Sequence, residues 1–260
     1  MTSNDIDFAN NGEINKQTPN IYKVLGAFVL DIGLLAVFWF LGMILATLVW
    51  TLNEYFSNGG LIANPQPGQF ALMLISIPTL YVSILVLWAL RGRHVILKQI
   101  PTPQKKLFLF AIAAGFLLFL LTTLSTYLLN AMGTPLQPSN QALLEDIGKR
   151  TPILITLFAI TVAPFFEELL FRKQIFARFV CGGYVVAGYV ISSLIFALMH
   201  EPVPTQGLTR WLLTLGLYSG MGALFAWIYR KSGKLWPAIL AHASNNLFAM
   251  SALLISTTMS

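Results

Sequence analysis

The sequence predicts an all-α fold: a polytopic transmembrane helix bundle of about seven spans, or eight if one short helix is hidden. Three observations predict it. Of 260 residues, 56% are hydrophobic and only 10% are charged, where a soluble domain carries about 25% charged residues. Mean hydropathy is +0.72. The apolar residues also gather into long runs separated by turn chemistry. So little charge cannot cover a water-facing surface, which excludes a soluble enzyme, a disordered tail and a nucleic-acid binder despite a sequence pI ≈ 9.5. The partner this composition demands is a lipid bilayer. A single cysteine, Cys181, excludes a disulfide framework and any multi-thiolate metal site.

The segments run roughly 24–52, 69–90, 107–129, 152–171, 184–200, 209–229 and 235–256. The first is long for a signal peptide and lacks a basic region before it, so it is read as a retained span behind a polar tail, 1–22. N-terminal spans occupy 23–150, and a last region, 151–256, holds most of the unusual polar residues. Connections are expected at Asn58-Gly59-Gly60, Pro101-Thr102-Pro103, Gly182-Gly183 and Ser232-Gly233. With a cytoplasmic N-terminus, 13 of the 16 Lys and Arg fall on the inner side. The remaining three, Lys149, Arg150 and Arg210, fall outside, which is a strong positive-inside bias.

Ionisable groups at membrane depth are costly unless paired or hydrated, so each marks a candidate site. They are Asp31, Glu167, Glu168, Arg172, His200 and His242. Asp31 more often serves as a hydrogen-bonding contact to a neighbouring helix than as a substrate contact. His94, among Arg91, Arg93 and Lys98, reads as a solvated loop residue, and Cys181 has no partner to make it a nucleophile.

Glu168 and Arg172 are spaced i, i+4 and share a helix face, so they neutralise one another. Glu167 is rotated about 100° away with no such partner, which leaves it free to act as a general base or acid. Pro164 should free a carbonyl one turn earlier and loosen the helix enough to admit water. Glu167 and His200 sit at similar depths on either side of the Gly182-Gly183 turn, about 23–26 Å along antiparallel helices. They can therefore face each other. His242 and Asn246 share a face of the last helix, but at about 15–20 Å from their turn they match less well and need tilt or an offset.

A glutamate, two histidines and an asparagine around one cavity suit hydrolysis. A Glu/His pair takes a proton from water, and a His/Asn pair donates to the oxyanion of a tetrahedral intermediate. No serine or cysteine is placed beside a base, so an acyl-enzyme route has no support. Glu167, His200 and His242 are also chemically suited to a divalent metal such as zinc, with water as fourth ligand. These residues leave metal and direct carboxylate catalysis both open.

The three motifs, Glu167-Glu168-x-x-x-Arg172, Phe196-x-x-x-His200 and His242-x-x-x-Asn246, occur in this order on successive spans. They resemble those of the CPBP family, which comprises type II CAAX prenyl endopeptidases and bacteriocin-processing or immunity (Abi) proteins. The stretch from Leu235 to Asn246 is similar to the third motif beyond its polar residues. The resemblance covers about residues 150–250 and marks 151–256 as the catalytic core. It implies an intramembrane endopeptidase acting on a membrane-associated peptide or protein. It casts Glu167 with His200 as activators of water, His242 and Asn246 as oxyanion stabilisers, and Glu168 and Arg172 as support. The family's metalloprotease label keeps zinc as a candidate cofactor. The compact loops point to a bacterial cytoplasmic membrane. The alternative is a catalytically silent scaffold or immunity protein that binds a peptide or partner.

Overall fold

The computed structural model describes residues 20–57, 69–97, 103–134, 136, 151–204 and 207–259, and these are helices and their connections. The polar tail, Asn58-Gly59-Gly60, Pro101, Thr102, Lys98, Lys149 and Arg150 lie outside the described residues. The helices are α1, Ile21–Ser57, and α2, Gln69–Leu87, which continues into a π turn at Trp88–Gly92. Then come α3, Gln104–Ala131; α4, 152–181; α5, Val185–His200; α6, Leu208–Ser232; and α7, Leu235–Met259. Among the described residues six helices are long and apolar enough to cross a membrane. The exception is α5, whose 16 residues reach about 24 Å, short of the roughly 30 Å hydrocarbon core. All seven apolar segments are therefore helical, but the fifth is shorter than a full span.

Residues 20–94 form one compact unit and residues 95–260 another. In the first, Trp39 Nε1 donates to the Ser76 carbonyl at 3.3 Å. Asp31 is buried and forms an ion pair with Arg91 from the π turn. Asp31 is therefore an interhelical contact, as its position near the start of α1 suggested. His94 Nε2 accepts from Arg93 Nε at 2.9 Å, a local loop contact.

In the second unit α4 corrects the expected boundary. The segment was read as ending near 171 because Arg172, Lys173, Gln174 and Arg178 lower its hydropathy. The helix instead continues to Cys181. Arg172 and Gln174 are buried in the bundle, so hydropathy fell where the helix turned its polar groups inward. Two π stretches, Phe158–Val162 and Leu169–Phe176, lie along it. The expected reversal at Gly182-Gly183 is present: Gly183 adopts φ 86, and Tyr184 N–H reaches back to the Phe179 carbonyl at 2.8 Å. This closes the helix end with the left-handed residue that glycine tolerates best.

Close backbone approach sets where the polar helices meet. A Cβ on Gly115 of α3 would lie 2.3 Å from the Ala241 carbonyl oxygen and 2.7 Å from Ser244 Cβ. The α3–α7 crossing thus exists only because residue 115 has no side chain, and it falls one residue from His242. A Cβ on Gly222 of α6 would stand 3.0 Å from Ser193 Cα on α5. Gly115→Ala is expected to lower stability by about 1–3 kcal/mol through overpacking. Gly216→Ala, where an added Cβ meets nothing within 4 Å, should be neutral or stabilising. Thermal unfolding of both variants in one detergent checks the contrast.

Candidate active site

The site grows from α4, where Glu167 and Glu168 precede the second π stretch. Glu168 and Arg172 are each fully buried, with Nε 2.9 Å from Oε2. A charge in this environment is sustained only by partners, and both have several. Arg172 Nη1 donates to Ser192 Oγ at 3.4 Å, and Ser192 Oγ donates to the Phe171 carbonyl at 2.8 Å. Its guanidinium carbon lies 4.9 Å from the ring centre of Phe196 and 5.6 Å from those of Phe171 and Phe225. The other oxygen of Glu168, Oε1, accepts from His242 Nδ1 at 3.0 Å. The carboxylate thus joins the buried cation on its own helix to an imidazole on α7.

Glu167 has the freedom that its helical position predicted. Its side chain is 20% exposed, with Oε2 3.8 Å from Nε2 of both His200 and His242. These separations are too long for direct hydrogen bonds. The equal depth of Glu167 and His200 on antiparallel α4 and α5 is as expected. His242 approaches equally closely, although its depth matched less well, because helical turns at one end of a bundle need not lie at one level.

Both imidazoles are held from behind. A carbonyl oxygen only accepts, so His200 Nδ1 carries the proton donated to the Phe196 carbonyl at 2.8 Å. The Glu168 carboxylate likewise accepts from His242 Nδ1. In the neutral form each ring therefore directs an Nε2 lone pair toward Glu167. Tyr218 stacks on His200 at 4.6 Å and Phe225 on His242 at 4.6 Å, with interplanar angles of 24° and 16°. Phe196 also lies against both rings, at 4.4 Å and 5.9 Å. The roles of α6 were absent from the sequence reading. Its segment lacks ionisable residues at depth, so a search for costly polar groups passes over Tyr218 and Phe225.

Asn246 is one turn along α7 from His242 and points to a different feature. Its Nδ2 donates to the Ala159 carbonyl at 2.9 Å. Local helix chemistry explains the contact. In the first π stretch, Ala163 N–H bonds to the Phe158 carbonyl, so the next donor in that register belongs to residue 164. Pro164 has no N–H. Ala159 is thereby short of a helical partner, and Asn246 provides it. The carbonyl left short of a donor by Pro164 is thus bonded by an asparagine from another helix.

The donor types at Glu167, His200 and His242 are those of a zinc shell. Among the described residues, no group of three His, Cys, Asp or Glu side chains is arranged to hold a metal ion. What the arrangement can do without one is exchange a proton between a partly accessible carboxylate and two oriented imidazoles.

Comparison with known proteins falls on this same region. Residues 149–248 match the family model "Type II CAAX prenyl endopeptidase Rce1-like". The chain is 32% identical over 112 residues to the Bacillus subtilis (strain 168) protein named "Putative membrane peptidase YdiL", covering 43% of this chain and 41% of that relative. No solved structure matches. The resemblance carried by the three motifs is thus found over residues 149–248, the part of this integral membrane protein that is similar to the Rce1-like type II CAAX prenyl endopeptidases.

Proposed function

We propose that the protein is an intramembrane endopeptidase that hydrolyses a peptide bond of a membrane-associated peptide or protein. The observation that carries this reading is Glu167 Oε2 lying 3.8 Å from two imidazole Nε2 atoms, each with its Nδ1 already engaged. A water between Glu167 and His200 would donate one hydrogen to the carboxylate and one to the Nε2 lone pair. Glu167 takes a proton from that water, helped by His200, and the oxygen attacks the substrate carbonyl carbon. The proton then passes to the leaving amine, which balances the hydrolysis.

In this reading His242 and Asn246 stabilise the oxyanion. With its Nδ1 proton given to Glu168, His242 presents Nε2–H only when both ring nitrogens are protonated. Asn246 has one amide proton on Ala159 and one left to offer. Zinc would supply Lewis acidity and a more acidic bound water; no step above passes through it. The membrane assigned is a bacterial cytoplasmic membrane, with the N-terminus on the cytoplasmic side, supported by the 13 to 3 distribution of basic residues.

Cleavage of a membrane-peptide library in detergent tests the proposal. Glu167→Gln and His200→Ala are each expected to lower the rate by about 10²–10⁴-fold while leaving thermal stability near wild type. Unchanged turnover in Glu167→Gln would sink the assignment. Asn246→Ala should behave differently, losing stability as well as rate because the Ala159 carbonyl is orphaned. Adding Pro164→Ala supplies a backbone donor again and should restore stability without restoring rate. Chelation with add-back of Zn²⁺ in the same assay separates the two routes: an unchanged rate keeps Glu167 and His200 as direct activators of water, and loss reversed by Zn²⁺ makes Glu167, His200 and His242 ligands.

A further inference from the structure

One end of the unit formed by residues 95–260 gathers basic side chains that the catalytic reading does not use. Lys105 and Lys106 occupy the first turn of α3, Arg230 and Lys231 the last turn of α6, and Lys234 immediately precedes α7. Contacts place α3 and α6 together there: the rings of Phe110 and Trp227 are 5.8 Å apart at 62°. Lys231 Nζ lies 4.9 Å from the centre of the Trp227 ring, which is itself 40% exposed. Lys106 is one turn before Phe110, on the same face of α3. Lys231 thus sits on one ring of the aromatic pair, and Lys106 is spaced along α3 to reach the other.

Among the described residues, none of the five cations makes an ion pair. Neither α3 nor α7 has an acidic residue in its first turn, so their N-termini add positive potential beside the five side chains, set against the negative C-terminus of α6 on which Arg230 and Lys231 lie. A lipid-facing tryptophan holding a lysine belongs at the level of the headgroups.

We infer that the α3–α6 surface around Trp227 is a binding site for an anionic phospholipid, with Lys106 and Lys231 on its phosphate and the Phe110–Trp227 pair against its glycerol and upper acyl region. Charge complementarity favours this occupant over a zwitterionic lipid, whose own cation would be repelled by Arg230 and Lys234. The site is distinct from the Glu167 cluster and does not depend on the protein being a peptidase.

Native mass spectrometry of the full chain in detergent, titrated with dioleoyl phosphatidylglycerol or dioleoyl phosphatidylcholine, tests it. The wild type should retain phosphatidylglycerol preferentially. Lys106→Gln with Lys231→Gln should reduce that preference by about fivefold per lysine. Lys23→Gln with Arg93→Gln removes as much charge elsewhere and should leave the preference intact. Should the double variant fail to fold, Lys231→Gln alone should lose preference and Lys231→Arg should keep it. Equal retention of the two lipids by wild type would overturn the site, as would equal loss in the control pair. Displacement of the lipid by soluble glycerol phosphate would also overturn it, since a free phosphate site would need no acyl contact.

Discussion

A fully buried arginine is the constraint around which the second unit is built. Removing an ammonium or guanidinium group from water costs several kcal/mol even after relaxation, and Arg172 lies inside a chain that also has lipid around it. The structure meets that cost by several means at once: the Glu168 carboxylate at 2.9 Å, Ser192 on α5, and three ring faces from α4, α5 and α6. Each partner comes from an element that also carries part of the site. Satisfying Arg172 therefore fixes the relative placement of those helices. Glu168, committed on one oxygen to the cation, orients His242 with the other.

The same economy explains why the two adjacent glutamates differ. Glu168 looks into the bundle, with one oxygen ion-paired to Arg172 and the other accepting from His242, while Glu167 is turned toward the partly accessible side. A change of one residue along the helix separates a carboxylate committed to a buried cation from one turned toward two imidazoles. The π stretch that begins at Leu169 immediately follows the pair, and π turns are frequent at functional sites because they re-aim side chains without ending the helix. Aromatic rings then hold the imidazoles on their faces, leaving edges for hydrogen bonding and chemistry.

What the sequence made legible follows from what costs most in lipid. Glu167, Glu168, Arg172, His200 and His242 stood out because few residues can bear such a position, and the structure gathers all five. Helical periods and turn chemistry located the segments and the Gly182-Gly183 reversal. The end of α4 was missed because hydropathy records polarity and not which way a side chain faces, and Arg172 and Gln174 face inward. Tyr218 and Phe225 were missed for the opposite reason: an aromatic residue in an apolar helix costs nothing, so nothing marks it. Gly115 also gave no signal, because a glycine required by a neighbouring carbonyl looks like any other glycine until the neighbour is known.

Asn246 joins these levels. Its spacing from His242 marked it as part of a polar face, but its partner is the carbonyl of Ala159, eighty-seven positions away and on a different helix. That carbonyl is available because a π register meets a proline, so a local backbone irregularity in α4 and a side chain in α7 satisfy each other. The consequence is mechanical. Helix α7 is fixed to α4 by Asn246 on Ala159 and by His242 on Glu168, one turn apart along α7, so its rotation and its height are both set relative to α4. Gly115 lets α3 press against the intervening turn from the other side. With the helix held at two such points, one of them its own Nδ1, His242 has little freedom to leave Glu167, and the framework supplies the rigidity that keeps the imidazole and the carboxylate together.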